Sequence, residues 1–124
     1  MKVKFWGARG SIPVSGAEYL KYGGDTTCVE IRTADGEIVI VDAGSGIRRL
    51  GNALAREQVE HLHMIFTHVH WDHIQGFPFF VPAYNPDFEI FVYGSIGFGK
   101  NLEAIFRGQL DRDAFERKLY IIRK

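Results

Sequence analysis

The sequence predicts an α/β protein, and three observations carry that prediction. Apolar runs of strand length alternate with amphipathic helical patterns along the chain. A hairpin with clear turn chemistry, Thr27 to Arg32 and Glu37 to Asp42 around Ala34-Asp35-Gly36, precedes the first helix. Its second arm, Ile38-Val39-Ile40-Val41, is apolar without alternation, as in a strand covered on both faces inside a layered structure.

Taken in order, Lys2 to Trp6 alternates lysine with Val3 and Phe5 and reads as a half-buried strand. Gly7-Ala8-Arg9-Gly10-Ser11 breaks it with a loop that could approach an anion, although glycine-rich turns without ligands are commoner. Pro13 to Gly24 reads as irregular, with Tyr19 and Tyr22 packed against an unspecified neighbour. Asp42 ends the hairpin before Ala43-Gly44-Ser45-Gly46, either as a cap for the next helix or as an orienting group for a metal-bound histidine. Ile47 to Arg56 places Ile47, Leu50 and Leu54 on one helical stripe, with Arg48, Arg49 and Arg56 on a solvated face. His61 to Thr67 is the next strand; His61 and His63 share the parity of Thr67 and read as structural or exposed.

A short helix is expected to begin at Ile74-Gln75-Gly76-Phe77. The apolar run Phe77-Pro78-Phe79-Phe80-Val81-Pro82 is interrupted by two prolines and reads as core, or as a wall beside a site. Phe88 to Tyr93 is rich in strand formers, Gly94 to Gly99 reads as a loop, and Asn101 to Leu110 has helical spacing. Gly99-Lys100-Asn101 lacks the spacing and hydroxyl of a nucleotide P-loop. Residues 112–124 form a mixed-charge tail whose placement the pattern leaves open.

At 124 residues the chain is one domain, residues 1–124, and 46% hydrophobic content gives it a core. Net charge is zero, which gives no general attraction to nucleic acid or membrane. Cys28 is the single cysteine, so no internal disulfide forms, and its apolar strand favours a buried thiol. No signal-type or membrane-spanning apolar run is present, so a cytoplasmic protein is the expectation.

The chemistry concentrates in Thr67-His68-Val69-His70-Trp71-Asp72-His73, four candidate metal ligands in six positions. In extended chain His68 and His70 point to the same side, whereas the adjacent Asp72 and His73 converge only if the chain turns after Trp71. That gives two ligand pairs and room for two metals about 3.5–4 Å apart, an arrangement that activates water for hydrolysis. Imidazole with carboxylate favours zinc, with manganese or iron as alternatives. The competing reading makes Asp72 an ordinary helix cap and the histidines incidental, and the density of the motif weighs against it.

The motif resembles the His-x-His-x-Asp-His signature of the metallo-β-lactamase-fold hydrolases. Gly7-Ala8-Arg9-Gly10-Ser11-Ile12-Pro13, Tyr22-Gly23-Gly24-Asp25-Thr26-Thr27-Cys28, Val41-Asp42-Ala43-Gly44 and Ile74-Gln75-Gly76-Phe77-Pro78-Phe79-Phe80 are similar to its ribonuclease Z-like and cyclic-phosphate phosphodiesterase-like branch. The resemblance extends to about Gln109. It implies the N-terminal αβ half of an αβ/βα sandwich, a mixed sheet with flanking helices. It implies metal ligation by His68, His70, Asp72 and His73, with Asp72 also positioning water, and it makes Asp42 and Thr67 the groups that orient those ligands. A zinc-dependent phosphodiesterase acting on a small-molecule phosphoester follows as the expected activity, with thioesters or lactams as the runner-up substrates.

Family members carry a third histidine, a bridging aspartate and a last histidine in a second half, and no histidine follows His73 here. A catalytic zinc usually keeps three protein ligands, and each pair supplies two. The alternatives are therefore a truncated half-enzyme, a module that assembles with another copy of itself, and a non-catalytic metal-binding module.

Overall fold

The computed structural model describes residues 1–94, 102–109 and 119–123. Six strands form one sheet whose spatial order is the order of the chain: β1 (Lys2–Gly7), β2 (Cys28–Arg32), β3 (Ile38–Val41), β4 (His61–Phe66), β5 (Glu89–Gly94) and β6 (Leu119–Arg123). β1, β2 and β3 are antiparallel neighbours, and β3 to β6 run parallel. The sheet is therefore mixed. Parallel strands need crossovers, here α1 (Ile47–Leu54), a segment containing α2 (Trp71–Ile74) with two 3₁₀ turns, and α3 (Leu102–Gln109). Strands that advance in one direction through right-handed crossovers put every crossover on the same face.

That face holds the core. Ile47, Leu50 and Leu54 of α1 pack with Ile38 and Ile40 of β3 and with Leu62 and Met64 of β4. Phe106 of α3 meets Phe77 and Phe66 at ring separations of 4.6 and 4.8 Å. Buried Glu30 on β2 is satisfied by the Trp6 indole N–H at 2.7 Å and by Arg32, which also forks onto Glu57 at 2.7 and 3.0 Å. The Arg32 guanidinium holds the Glu57 carboxyl below the usual range.

The opposite face is not covered by any described element. Val3 and Phe5 are 50% and 68% exposed there and Ile65 is 40% exposed, beside half-buried Val39 and Val41. Two expectations change accordingly. β1 exists where alternation placed it, but its apolar side chains face the open side, while Lys4 lies over the Trp6 ring on the helical side. β3 has two apolar faces, and the described residues cover only that of Ile38 and Ile40. The apolar run after the motif is split: Phe77, Phe80 and Pro82 are buried and Phe79 and Val81 are exposed. Tyr19 lies under the Arg9 guanidinium, whereas Tyr22 is 78% exposed. The expected loop lies largely outside the described residues, as do residues 112–118; from residue 119 the tail supplies β6.

The turn after β3 is tied to the segment after β4. Ala43 N–H donates to the His73 carbonyl at 2.7 Å, and Gly76 N–H donates to the Ala43 carbonyl at 2.9 Å. Gly44 N–H donates to the Thr27 carbonyl at 2.8 Å. Backbone passes so close that a Cβ on Gly76 would lie 2.0 Å from the Gly44 carbonyl oxygen. Gly76→Ala is predicted to destabilise the fold by about 1–3 kcal/mol, the range of overpacked cores, measured as a lower denaturation midpoint. Cys28 is fully buried and burial pushes its thiol far above the ordinary value, so the native protein is predicted not to react with a thiol reagent until it unfolds.

Candidate metal centre

Asp42 follows the C-terminal end of β3 with a backbone φ of 61°, a left-handed conformation that aspartate tolerates better than most residues. This turn points its carboxylate, 1% exposed, at the end of the neighbouring β4. Oδ1 accepts the Thr67 backbone N–H at 2.9 Å. Oδ2 accepts the Thr67 hydroxyl at 2.7 Å and faces His73 Nδ1 at 2.8 Å. The Thr67 Oγ1 also lies 3.0 Å from His68 Nδ1.

These contacts fix proton positions. A carboxylate only accepts, so His73 must carry its hydrogen on Nδ1. The single Thr67 hydroxyl hydrogen goes to Asp42, so Thr67 Oγ1 can only accept from His68, whose hydrogen is then also on Nδ1. Both rings are left with an Nε2 lone pair, the tautomer that binds metal while the other nitrogen is held by a neighbour. The donor set therefore suits a divalent cation.

The motif is compact. The His68 ring lies 4.0 Å from that of His73 and 4.5 Å from that of His70, centroid to centroid. His73 Nε2 is 3.5 Å from Asp72 Oδ2. The turn that brings Asp72 and His73 together is the single turn of α2, which starts at Trp71, earlier than expected at Ile74, and has His70 in extended conformation as its N-cap. Asp72 Oδ2 accepts the Ser11 backbone N–H at 3.0 Å. That hydrogen bond, more than the nearby histidines, holds the Asp72 carboxyl below the usual carboxylate range, so it stays ionised further into acid than an ordinary aspartate.

The structure thus brings together all six residues singled out by sequence: Asp42, Thr67, His68, His70, Asp72 and His73. Ser11 was missed. It is 61 positions from Asp72, with φ 74°, and no local spacing signals a contact made by a folded-over loop. Next to the motif, between α2 and α3, an open groove of about 830 Å³ is walled by Trp71, Ile74, Pro78, Phe79 and Ile105, with Gln75 at its edge.

Among the described residues, three donors lie within 4.8 Å of one another only in Glu37, His61 and His63, at the other end of β4. The motif itself offers close pairs.

No curated protein sequence matches the chain. Among solved structures, a diphosphatase of the PhnP family is similar with a TM-score of 0.64 and 17% identity, over 98% of this chain and 50% of that one. The short form of human tRNase Z (ELAC1) is similar with a TM-score of 0.61 and 22% identity, over 99% of this chain and 44% of that one. The chain spans about half the length of these structures, and at such identities the likeness is one of fold. The sequence model described as the Metallo-beta-lactamase superfamily matches residues 22–90, more than half of the chain and the whole of Asp42 to His73. The chain belongs to the metallo-β-lactamase superfamily.

Proposed function

We propose that this chain carries the His68 to His73 side of a metal-dependent hydrolase that cleaves phosphoesters at a binuclear zinc centre. The observation that supports it is the Asp42 carboxylate, which leaves His68 and His73 with free Nε2 atoms facing a cluster that also contains His70 and anionic Asp72. His68 and His70 would hold one cation, and Asp72 and His73 the other. Cations there supply Lewis acidity and lower the pKa of water. The chain's own residues do the rest. Asp42 and Thr67 hold the imidazoles in one tautomer, and the Ser11 amide orients the Asp72 carboxylate through a hydrogen bond. The groove beside Trp71 gives the organic part of a substrate an apolar surface.

Phosphoester is favoured over thioester or lactam because both structural neighbours carry names of cleavage at phosphorus, a diphosphatase and a tRNase. The second of these also returns RNA to the substrate class, which zero net charge argued against. A second reading, self-assembly of a non-catalytic metal-binding module, draws on the uncovered face of Val3, Phe5 and Ile65. No described helix is long and apolar enough to cross a membrane.

The zinc-loaded chain is predicted to hydrolyse bis(p-nitrophenyl) phosphate, to lose turnover with a chelator, and to lose at least about 100-fold in His68→Ala. Asp42→Asn keeps the shape and tolerates the left-handed backbone, yet cannot accept all three hydrogen bonds; it is predicted to weaken metal binding by about 10–100-fold. Tight metal without turnover, together with a dimer in sedimentation, would support the assembling module instead.

A further inference from the structure

A second cluster of donors lies away from the motif. β4 runs parallel to β3 with His63 opposite Val39, so the residue in line with His61 is Glu37, two positions before Val39. Side chains two apart in a strand share a face, and Glu37, His61 and His63 all project on the side the helices do not cover. The separation from His68 is five residues along an extended chain, roughly 16 Å, so the two clusters cannot share an ion.

We propose that Glu37, His61 and His63 form a further metal site, distinct from the His68 to His73 centre, for a divalent transition cation with the ligand preferences of zinc. His61 Nε2 lies 3.1 Å and His63 Nε2 lies 3.4 Å from the same oxygen, Glu37 Oε2. Two ligands at about 2.0–2.1 Å from a tetrahedral zinc are roughly 3.3 Å apart, the spacing seen here. The three donors fall within 4.8 Å of one another. An exposed histidine–glutamate ion pair has no need of a second imidazole on the same oxygen, and such pairs contribute little.

The surroundings of His63 point the same way. Its Nδ1 lies 3.0 Å from the Tyr93 hydroxyl on β5, and its ring is stacked on Phe91 at 5.3 Å. Without a cation, Nε2–H faces the Glu37 carboxylate and Nδ1 accepts from Tyr93; with a cation between Nε2 and Glu37 the hydrogen would move to Nδ1 and donate to the Tyr93 hydroxyl, the arrangement of a histidine held by a neighbour while it ligates metal. His61 stands edge-on to His63, with ring centroids 6.2 Å apart, so the two nitrogens approach the carboxylate from different directions. Three protein ligands leave a fourth position for water or another group. A bound ion would clamp the β2–β3 turn to the start of β4 and stabilise the folded state.

The test is metal stoichiometry of the full chain, stripped by chelation and titrated with zinc or with cobalt(II), whose visible absorption reports the ligand set. A variant carrying His68→Ala, His70→Ala and His73→Ala is expected to retain one equivalent on this site, and adding His63→Ala is expected to abolish it. Without those changes, His61→Ala with His63→Ala, or Glu37→Gln alone on its half-exposed turn, is expected to lose one equivalent or bind it at least tenfold more weakly. Tyr93→Phe is expected to weaken the same equivalent while leaving the others in place. Unchanged stoichiometry and affinity in the Glu37, His61 and His63 variants, with circular dichroism showing a native fold, would overturn the proposal.

Discussion

The Asp42 carboxylate is the interaction on which the rest of the site depends. It is buried at the end of a short central strand, in a backbone conformation few residues tolerate, and three hydrogen bonds converge on it from Thr67 and His73. Leaving such a group unpaired in the interior would cost several kcal/mol, so the segment after β4 is held against β3 as long as the fold persists. The same contacts set the imidazole tautomers. Structure and chemistry are coupled here through one side chain.

That coupling explains the glycines around it. Gly44 and Gly76 occupy points where the turn after β3 and the segment after His73 pass with no room for a side chain, and Ala43 bridges them through its own N–H and carbonyl. The backbone clasp positions His73 from one side and Asp42 orients its ring from the other. A donor set built this way is preorganised, because its proton positions and ring orientations are fixed by the chain.

Much of this was legible in the sequence, and the reasons differ by level. The hairpin, α1 and β4 were readable because turn residues and 3.6-residue periodicity are local signals. The density of histidine and aspartate between His68 and His73 marked the candidate site. Asp42 could be assigned to orienting histidine only through the family resemblance, since a carboxylate at a strand end serves equally well as a helix cap. The reading of β1 as half-buried failed for a physical reason: alternation reports that two faces differ, without saying which one meets the helices. In this chain the apolar face of β1 is turned to the side that no described element covers, and Phe5 remains 68% exposed. The Ser11 contact gave no local signal because it depends on loop placement, and His61 and His63, read from the sequence as structural or exposed, meet Glu37 only through the register between β3 and β4.

The most direct measurement of the central claim is the protonation of the histidine ring nitrogens in the metal-free protein, read from long-range nitrogen–proton NMR spectra of ¹⁵N-histidine-labelled chain at a pH where the rings are neutral. His68 and His73 are expected to carry their hydrogen on Nδ1 and to have unprotonated Nε2, and His73 is expected to lose this preference in Asp42→Asn. Hydrogen found on Nε2 of His68 and His73, or a tautomer distribution indifferent to Asp42, would contradict it.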